Sequence, residues 1–178
     1  GFSTLVGTST SCGDTSSDNC NGFGYGINAV SGFTTIGIST SDIRAQHGVA
    51  VWATVSDERY KKDITDSSLG LSFINALKPR TFKYRTKGNL PSTFRAYEEG
   101  SSEVYKFPET QHGFIAQEVK TAIDADSGVA DGFKMWSERP DGSQEVAEAA
   151  LIPVLVKAIQ EQNALITSLT ARIEALES

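Results

Sequence analysis

The sequence predicts an α+β protein in three parts: a β-rich segment over residues 1–55, a small α+β domain over 56–147, and a long heptad helix over 148–178. Three observations predict it. Up to about Thr54 the chain is dominated by Gly, Ser and Thr, with apolar residues only in short bursts. From Leu69 onward apolar residues recur at helical spacing, and the carboxy-terminal residues carry an apolar heptad sustained for four repeats.

Within the first part, Phe33-Thr34-Thr35-Ile36-Gly37-Ile38 is one such burst. Small, β-branched and turn-rich composition without a helical apolar period suits short strands and tight turns. Val49-Ala50-Val51-Trp52-Ala53-Thr54-Val55 alternates as a strand does, which argues against a flexible Gly/Ser linker. So few large apolar residues cannot bury a core alone, so the segment is expected to be completed by packing against identical chains. Cys12 and Cys20 flank its most loop-like stretch. Their spacing permits a small disulfide loop, but no wider disulfide framework accompanies them, and free thiols are the expectation. With only His47 and His112 as further nitrogen ligands, no metal site is expected.

In the second part, Leu69, Phe73, Ile74 and Leu77 fall on one helical face, Thr65-Asp66-Ser67-Ser68 offers N-cap residues, and Pro79 ends the run. Arg80 to Arg85 alternates polar with aromatic or β-branched residues and predicts a half-buried strand. Residues 86–109 carry Gly88, Pro91, Gly100 and Pro108 among many charges and read as a long, partly mobile insertion. His112 to Ile115 predicts a strand that feeds a helix from about Ala116 to Ile123. Residues 132–137 and 144–146 flank Pro140-Asp141-Gly142, the turn chemistry of a hairpin.

The third part is a coiled-coil pattern. Ile152, Ile159, Ile166 and Ile173 fall seven apart, with Leu155, Gln162, Leu169 and Leu176 three after each. Apolar a and d positions in that rhythm want partner helices. Ile at a with Leu at d favours dimers in simple peptides, so the order of association is not set by the heptads alone, and Gln162 at a d position is suited to fixing register.

The boundary between the first two parts carries Ser56-Asp57-Glu58-Arg59-Tyr60-Lys61-Lys62-Asp63-Ile64. A serine hydroxyl becomes a nucleophile when a neighbouring base takes its proton, and a desolvated lysine can be that base. Five residues is about 140° around an α-helix, so Ser56 and Lys61 converge only on a turn or where a strand runs into a helix. Read by itself, the string is a helix start with solvated charges. The whole segment, however, resembles the signature of the C-terminal intramolecular chaperone domains of phage tail spikes and tail fibres, the endosialidase type. His112 to Val119 resembles that family's G-x-I-A-Q-E-V segment, and Leu151 to Glu161 resembles the opening of its terminal helix. Leu77 to Tyr84 resembles its helix-to-strand transition.

The resemblance implies an intertwined homotrimer, this chain with two identical copies, that folds an upstream fibre or spike and then cuts itself free. It implies Ser56 as nucleophile, Lys61 as general base and Val55-Ser56 as the scissile bond, with no cofactor. Lys62 is the neighbouring alternative to Lys61, which the spacing favours. Asp57 and Arg59 are expected to hold the turn, while His112, Gln117 and Glu118 are weighed as supporting residues against ordinary strand-end and helix-start roles. Assembly is expected in the host cytoplasm, with the upstream part staying in the virion tail and the chaperone part released.

Composition excludes several other classes. A net charge of −6 with scattered lysines and arginines argues against a nucleic-acid partner. No apolar stretch is long enough to span a membrane, and the first residues lack the pattern of a signal peptide. The chain reads as a fragment of something longer. Two rival functions remain: a non-cleaving receptor-binding or trimerisation tip, and a glycan hydrolase fragment using carboxylates such as Asp14, Asp18 or Asp42, which no pattern selects.

Overall fold

The computed structural model describes residues 2–13, 19–129 and 132–177. The chain divides into two compact units, Gly1–Ile64 and Thr65–Ser178.

In the first unit the chain winds. Strands β1 (Thr4–Val6), β3 (Asn21–Tyr25) and β5 (Phe33–Ile38) stack in parallel, and β2 (Ser11–Cys12) pairs in parallel with β4 (Asn28–Ala29). Each turn of chain thus offers one long and one short strand to the next. The stack is closed by antiparallel β6 (Ser41–Gln46) and β7 (Trp52–Thr54), giving one sheet in the order β1-β3-β5-β6-β7. The interior is narrow, and among the described residues Cys20, Ile27 and Ala29 form its buried apolar cluster.

Glycine permits the stacking. Gly7, Gly24 and Gly37 follow one another through the coils with φ of 125°, 143° and 154°. A Cβ on Gly7 would overlap the Gly24 carbonyl, and one on Gly24 the Gly37 carbonyl. Only a residue without a side chain fits this column. In register above it run Val6, Phe23, Ile36 and Ile43, an outward row of exposed apolar side chains.

Two expectations change here. Cys12 and Cys20 are disulfide-bonded, with Cα atoms 6.4 Å apart, inside the usual range for a bridge. Winding places Cys12 of β2 beside Cys20, the residue just before β3, a proximity that an argument from compartment does not contain. The strand expected over 49–55 is only Trp52–Thr54, because Gly48, at φ 81°, turns the chain before it can pair with β6.

The second unit gathers α1 (Leu71–Ala76), α2 (Ala116–Ala125) and α3 (Ile152–Glu177) around one core of Leu69, Phe73, Leu77, Val119, Ala122, Met135, Leu151 and Val154. Strand β8 (Arg80–Phe82) pairs antiparallel with β9 (Gln111–Gly113), and β10 (Trp136–Glu138) forms the expected hairpin with β11 (Gln144–Val146). No Ser or Thr caps α1. The helix starts after Gly70, and the Leu71 N–H donates instead to Glu161 Oε2 on α3, at 2.8 Å. Strand β8 stops at Phe82 because the backbone beyond it is claimed by a loop closure: Tyr105 N–H donates to Arg85, Lys87 N–H to Glu103, and Thr86 bridges Val104. The 86–109 insertion is therefore tied at its base and holds a 3-10 turn over Lys87–Asn89. Helix α2 runs to Ala125, two residues past its expected end.

Helix α3 follows a 3-10 turn over Glu148–Leu151 and carries Pro153 in its first turn, where a missing N–H costs nothing. It buries Val154 and Ala158. Ile152, Leu155, Ile159, Ile166, Leu169, Ile173 and Leu176, the apolar heptad positions, all remain exposed.

Candidate active site

Strand β7 delivers Val55 and Ser56 directly into a tight turn. Asp57 caps a 3-10 turn over Glu58–Tyr60: its Oδ1 accepts the Arg59 backbone N–H at 2.9 Å. The Arg59 guanidinium folds back on the same carboxylate, Nε to Oδ1 at 2.9 Å and a terminal nitrogen to Oδ2 at 2.7 Å. This bidentate clamp, chiefly through the guanidinium, holds the Asp57 carboxyl below its ordinary titration range. Tyr60 N–H donates to Asp57 C=O and Lys61 N–H to Glu58 C=O, which closes the turn.

A 3-10 turn advances faster around its axis than an α-helix, with about three residues per turn. Flanked by extended backbone at Asp57 and Lys61, it brings the Lys61 side chain back over Ser56. Lys61 Nζ donates to Ser56 Oγ at 2.7 Å. The bond joins an amine and a hydroxyl at proton-transfer distance: an ammonium donates along it, and a neutral amine accepts the hydroxyl proton along the same line. Among the described residues Lys62 makes no such contact. Ser56 and Lys61 are exposed, and Val55 is 57% exposed.

The structure thus brings together Ser56, Asp57, Arg59 and Lys61 in the first unit. The other three singled-out residues belong to the second unit. His112 lies in β9 opposite Thr81 and is exposed. Gln117 is the second residue of α2, and its carbonyl accepts the Thr121 hydroxyl at 2.9 Å. Glu118 takes both guanidinium bonds of Arg80, at 2.9 and 2.6 Å, and that pairing lowers the titration of its carboxyl. Of the carboxylates weighed for sugar hydrolysis, Asp14 and Asp18 lie outside the described residues, and Asp42 is half-buried in β6. Among the described residues, no group of three His, Cys, Asp or Glu is placed to hold a metal, and no helix is long and apolar enough to cross a membrane.

One structural residue escaped the sequence reading: Glu161, whose bond to α1 joins positions ninety apart in the chain. No local pattern announces such a contact.

Residues 56–127 match the family model described as chaperone of endosialidase, a peptidase family. No curated protein and no solved structure matches the chain. The match opens on the serine that meets Lys61 and runs through β8, β9 and α2. Residues 56–127 of this chain thus carry a chaperone of endosialidase domain.

Proposed function

We propose that this chain is an intramolecular chaperone that trimerises and folds a phage tail fibre or spike, then frees itself by cutting between Val55 and Ser56. The observation that carries the reading is the 2.7 Å bond between Lys61 Nζ and Ser56 Oγ, on the residue that opens the family match. Ser56 Oγ attacks the Val55 carbonyl carbon while the neutral Lys61 amine takes the hydroxyl proton. The tetrahedral intermediate collapses with cleavage of the C–N bond, and Lys61 returns the proton to the Ser56 nitrogen. An ester between the Val55 acyl group and Ser56 Oγ results. Water hydrolyses it to a Val55 carboxylate and a fragment beginning at Ser56. Because nucleophile and target are adjacent in one chain, proximity supplies much of the rate; effective molarities in such systems reach about 10⁵ M or more.

Assembly is the natural trigger. A lysine is a base only when neutral, and desolvation favours that form. The single chain leaves Ser56 and Lys61 in solvent, and it leaves the α3 heptads and the Val6-Phe23-Ile36-Ile43 row in solvent as well. Those apolar surfaces are what two further copies would pack on, and burial of Ser56 and Lys61 on association would make cutting a report on correct assembly. In this reading the step occurs in the host cytoplasm, the part before Ser56 stays in the virion tail, and the rest leaves.

Intact-mass measurement tests it. The parent chain is expected to yield a fragment starting at Ser56, and Ser56→Ala or Lys61→Ala to stay whole. Ile159→Asp with Ile166→Asp is expected to give an uncut monomer. Efficient cutting by that monomer would remove the assembly trigger, and a fully assembled parent that stays whole would make the chain a permanent fibre tip.

A further inference from the structure

A cavity of about 830 Å³ opens in the second unit between the residues following β8 and the β10–β11 hairpin. Its wall is aromatic. Phe82, Tyr84, Phe94 and Tyr105 line it, all half-buried, with Tyr84 set edge-on to Phe82 at 5.5 Å and to Tyr105 at 5.8 Å. The Lys106 ammonium stands over both tyrosine rings, 5.5 Å from one centroid and 5.3 Å from the other. Two rings facing one ammonium hold it in place while leaving its donors uncommitted.

The charges around that wall are unbalanced. Lys83, Arg85, Arg95 and Lys106 all line the cavity, and among the described residues no carboxylate pairs with any of them. Elsewhere in this unit Arg80 pairs with Glu118, Lys87 with Glu103, Lys120 with Asp124 and Lys157 with Glu161, while the other cations without an ion pair among the described residues, Lys78, Lys134 and Arg172, are scattered along the chain rather than gathered at one cavity. Two of the three acids in the lining are engaged: Glu145 holds Arg139 at 2.5 Å, and Asp141 accepts from the Arg95 backbone N–H and from Ser143. Glu148, the third, has no cationic partner among the described residues, which leaves four unpaired cations in the lining against one unpaired acid. In a chain of net charge −6, cations left without acids gather beside a group of rings in a space of ordinary ligand size, about 300–1,000 Å³.

We infer that this cavity binds a small molecule that carries a carboxylate or phosphate on a ring. The anion meets Lys106 with Arg85 and Arg95, whose planar donors match either head group. The ring packs on Phe82 and Phe94 and the tyrosine edges. The site uses none of the residues of the self-cutting reaction and stands whether or not the chain cuts itself.

The test uses the full chain carrying Ser56→Ala, titrated at low salt with phenyl phosphate and with benzoate while tyrosine fluorescence and heat are recorded. Benzyl alcohol supplies the ring without the charge, and inorganic phosphate the charge without the ring. At least one ring anion is expected to bind saturably, and the stronger of the two identifies the head group. Both controls should bind at least tenfold more weakly. Lys106→Gln and, separately, Arg85→Gln should weaken that binding about tenfold with unchanged helical circular dichroism. The proposal is overturned if neither ring anion saturates by about 10 mM, well above the range of an ordinary specific site. It is equally overturned if benzyl alcohol binds as tightly, or if both correctly folded variants bind like the parent.

Discussion

Replacing Gly70 by alanine should detach the start of α1 from α3. A Cβ at Gly70 would lie 2.7 Å from Glu161 Cδ and Oε1, closer than side-chain atoms approach one another. The Glu161 side chain is flexible and will swing away rather than push the helix aside. What is lost is its bond to the Leu71 N–H, the cap of a six-residue helix that has no other side-chain cap. A lost cap costs about 0.5–2 kcal/mol, typically about 1. A loss of about 1 kcal/mol is about 4–8 °C in Tm for a domain of this size. Glu161→Ala removes the same bond and should cost about the same. The two changes should not add. Once Glu161 is truncated its carboxylate no longer stands against the alanine at position 70, so the double variant should lose less than the sum of the two single changes. Thermal unfolding followed by helical circular dichroism, run on all four proteins, reads this directly. An unchanged Tm in Gly70→Ala, or two losses that sum in the double variant, would refute the account.

Gly24→Ala should damage the wound strands of the first unit by about 3 kcal/mol, since φ of 143° is closed to alanine and its Cβ would overlap the Gly37 carbonyl; a urea midpoint equal to the parent's would contradict the stacking. The Asp141 carboxyl should titrate near pH 2, because Ser143 Oγ first, then the Arg95 and Ser143 N–H groups, stabilise its charge and draw it down from 3.8. A depressed carboxylate contributes its full stabilisation above about pH 4 and loses it as pH falls through 2. Carbon-detected NMR of the Asp141 carboxyl in the full chain checks this, and a midpoint at the ordinary value would remove the cause.

Patterns repeated along the chain were the legible part. The β10–β11 hairpin was written in Pro140-Asp141-Gly142, and α3 in its heptads, because turn chemistry and helical period are local. The winding of the first unit was also written, in Val6-Gly7, Phe23-Gly24 and Ile36-Gly37. Those pairs lie seventeen and then thirteen residues apart, and the unequal spacing hides a repeat that the strand register makes plain. Contacts between distant positions were not legible. Leu71 and Glu161 meet only because α1 and α3 share a core. Ser56 and Lys61 lie between these extremes. Helical geometry separates them, and it took a 3-10 turn, clamped by Asp57 and Arg59, to bring the hydroxyl and the amine to 2.7 Å.

Strand β7 ends at Thr54, one residue before Val55, and is secured by its ladder to β6 and by the Thr54 hydroxyl on the Asp42 carbonyl, while the turn that follows is closed by its own bonds, Tyr60 N–H to Asp57, Lys61 N–H to Glu58 and Lys61 Nζ to Ser56 Oγ. The cut proposed after Val55 would fall one residue beyond the Trp52–Thr54 ladder, so the new carboxylate would form at the rim of the sheet rather than within it.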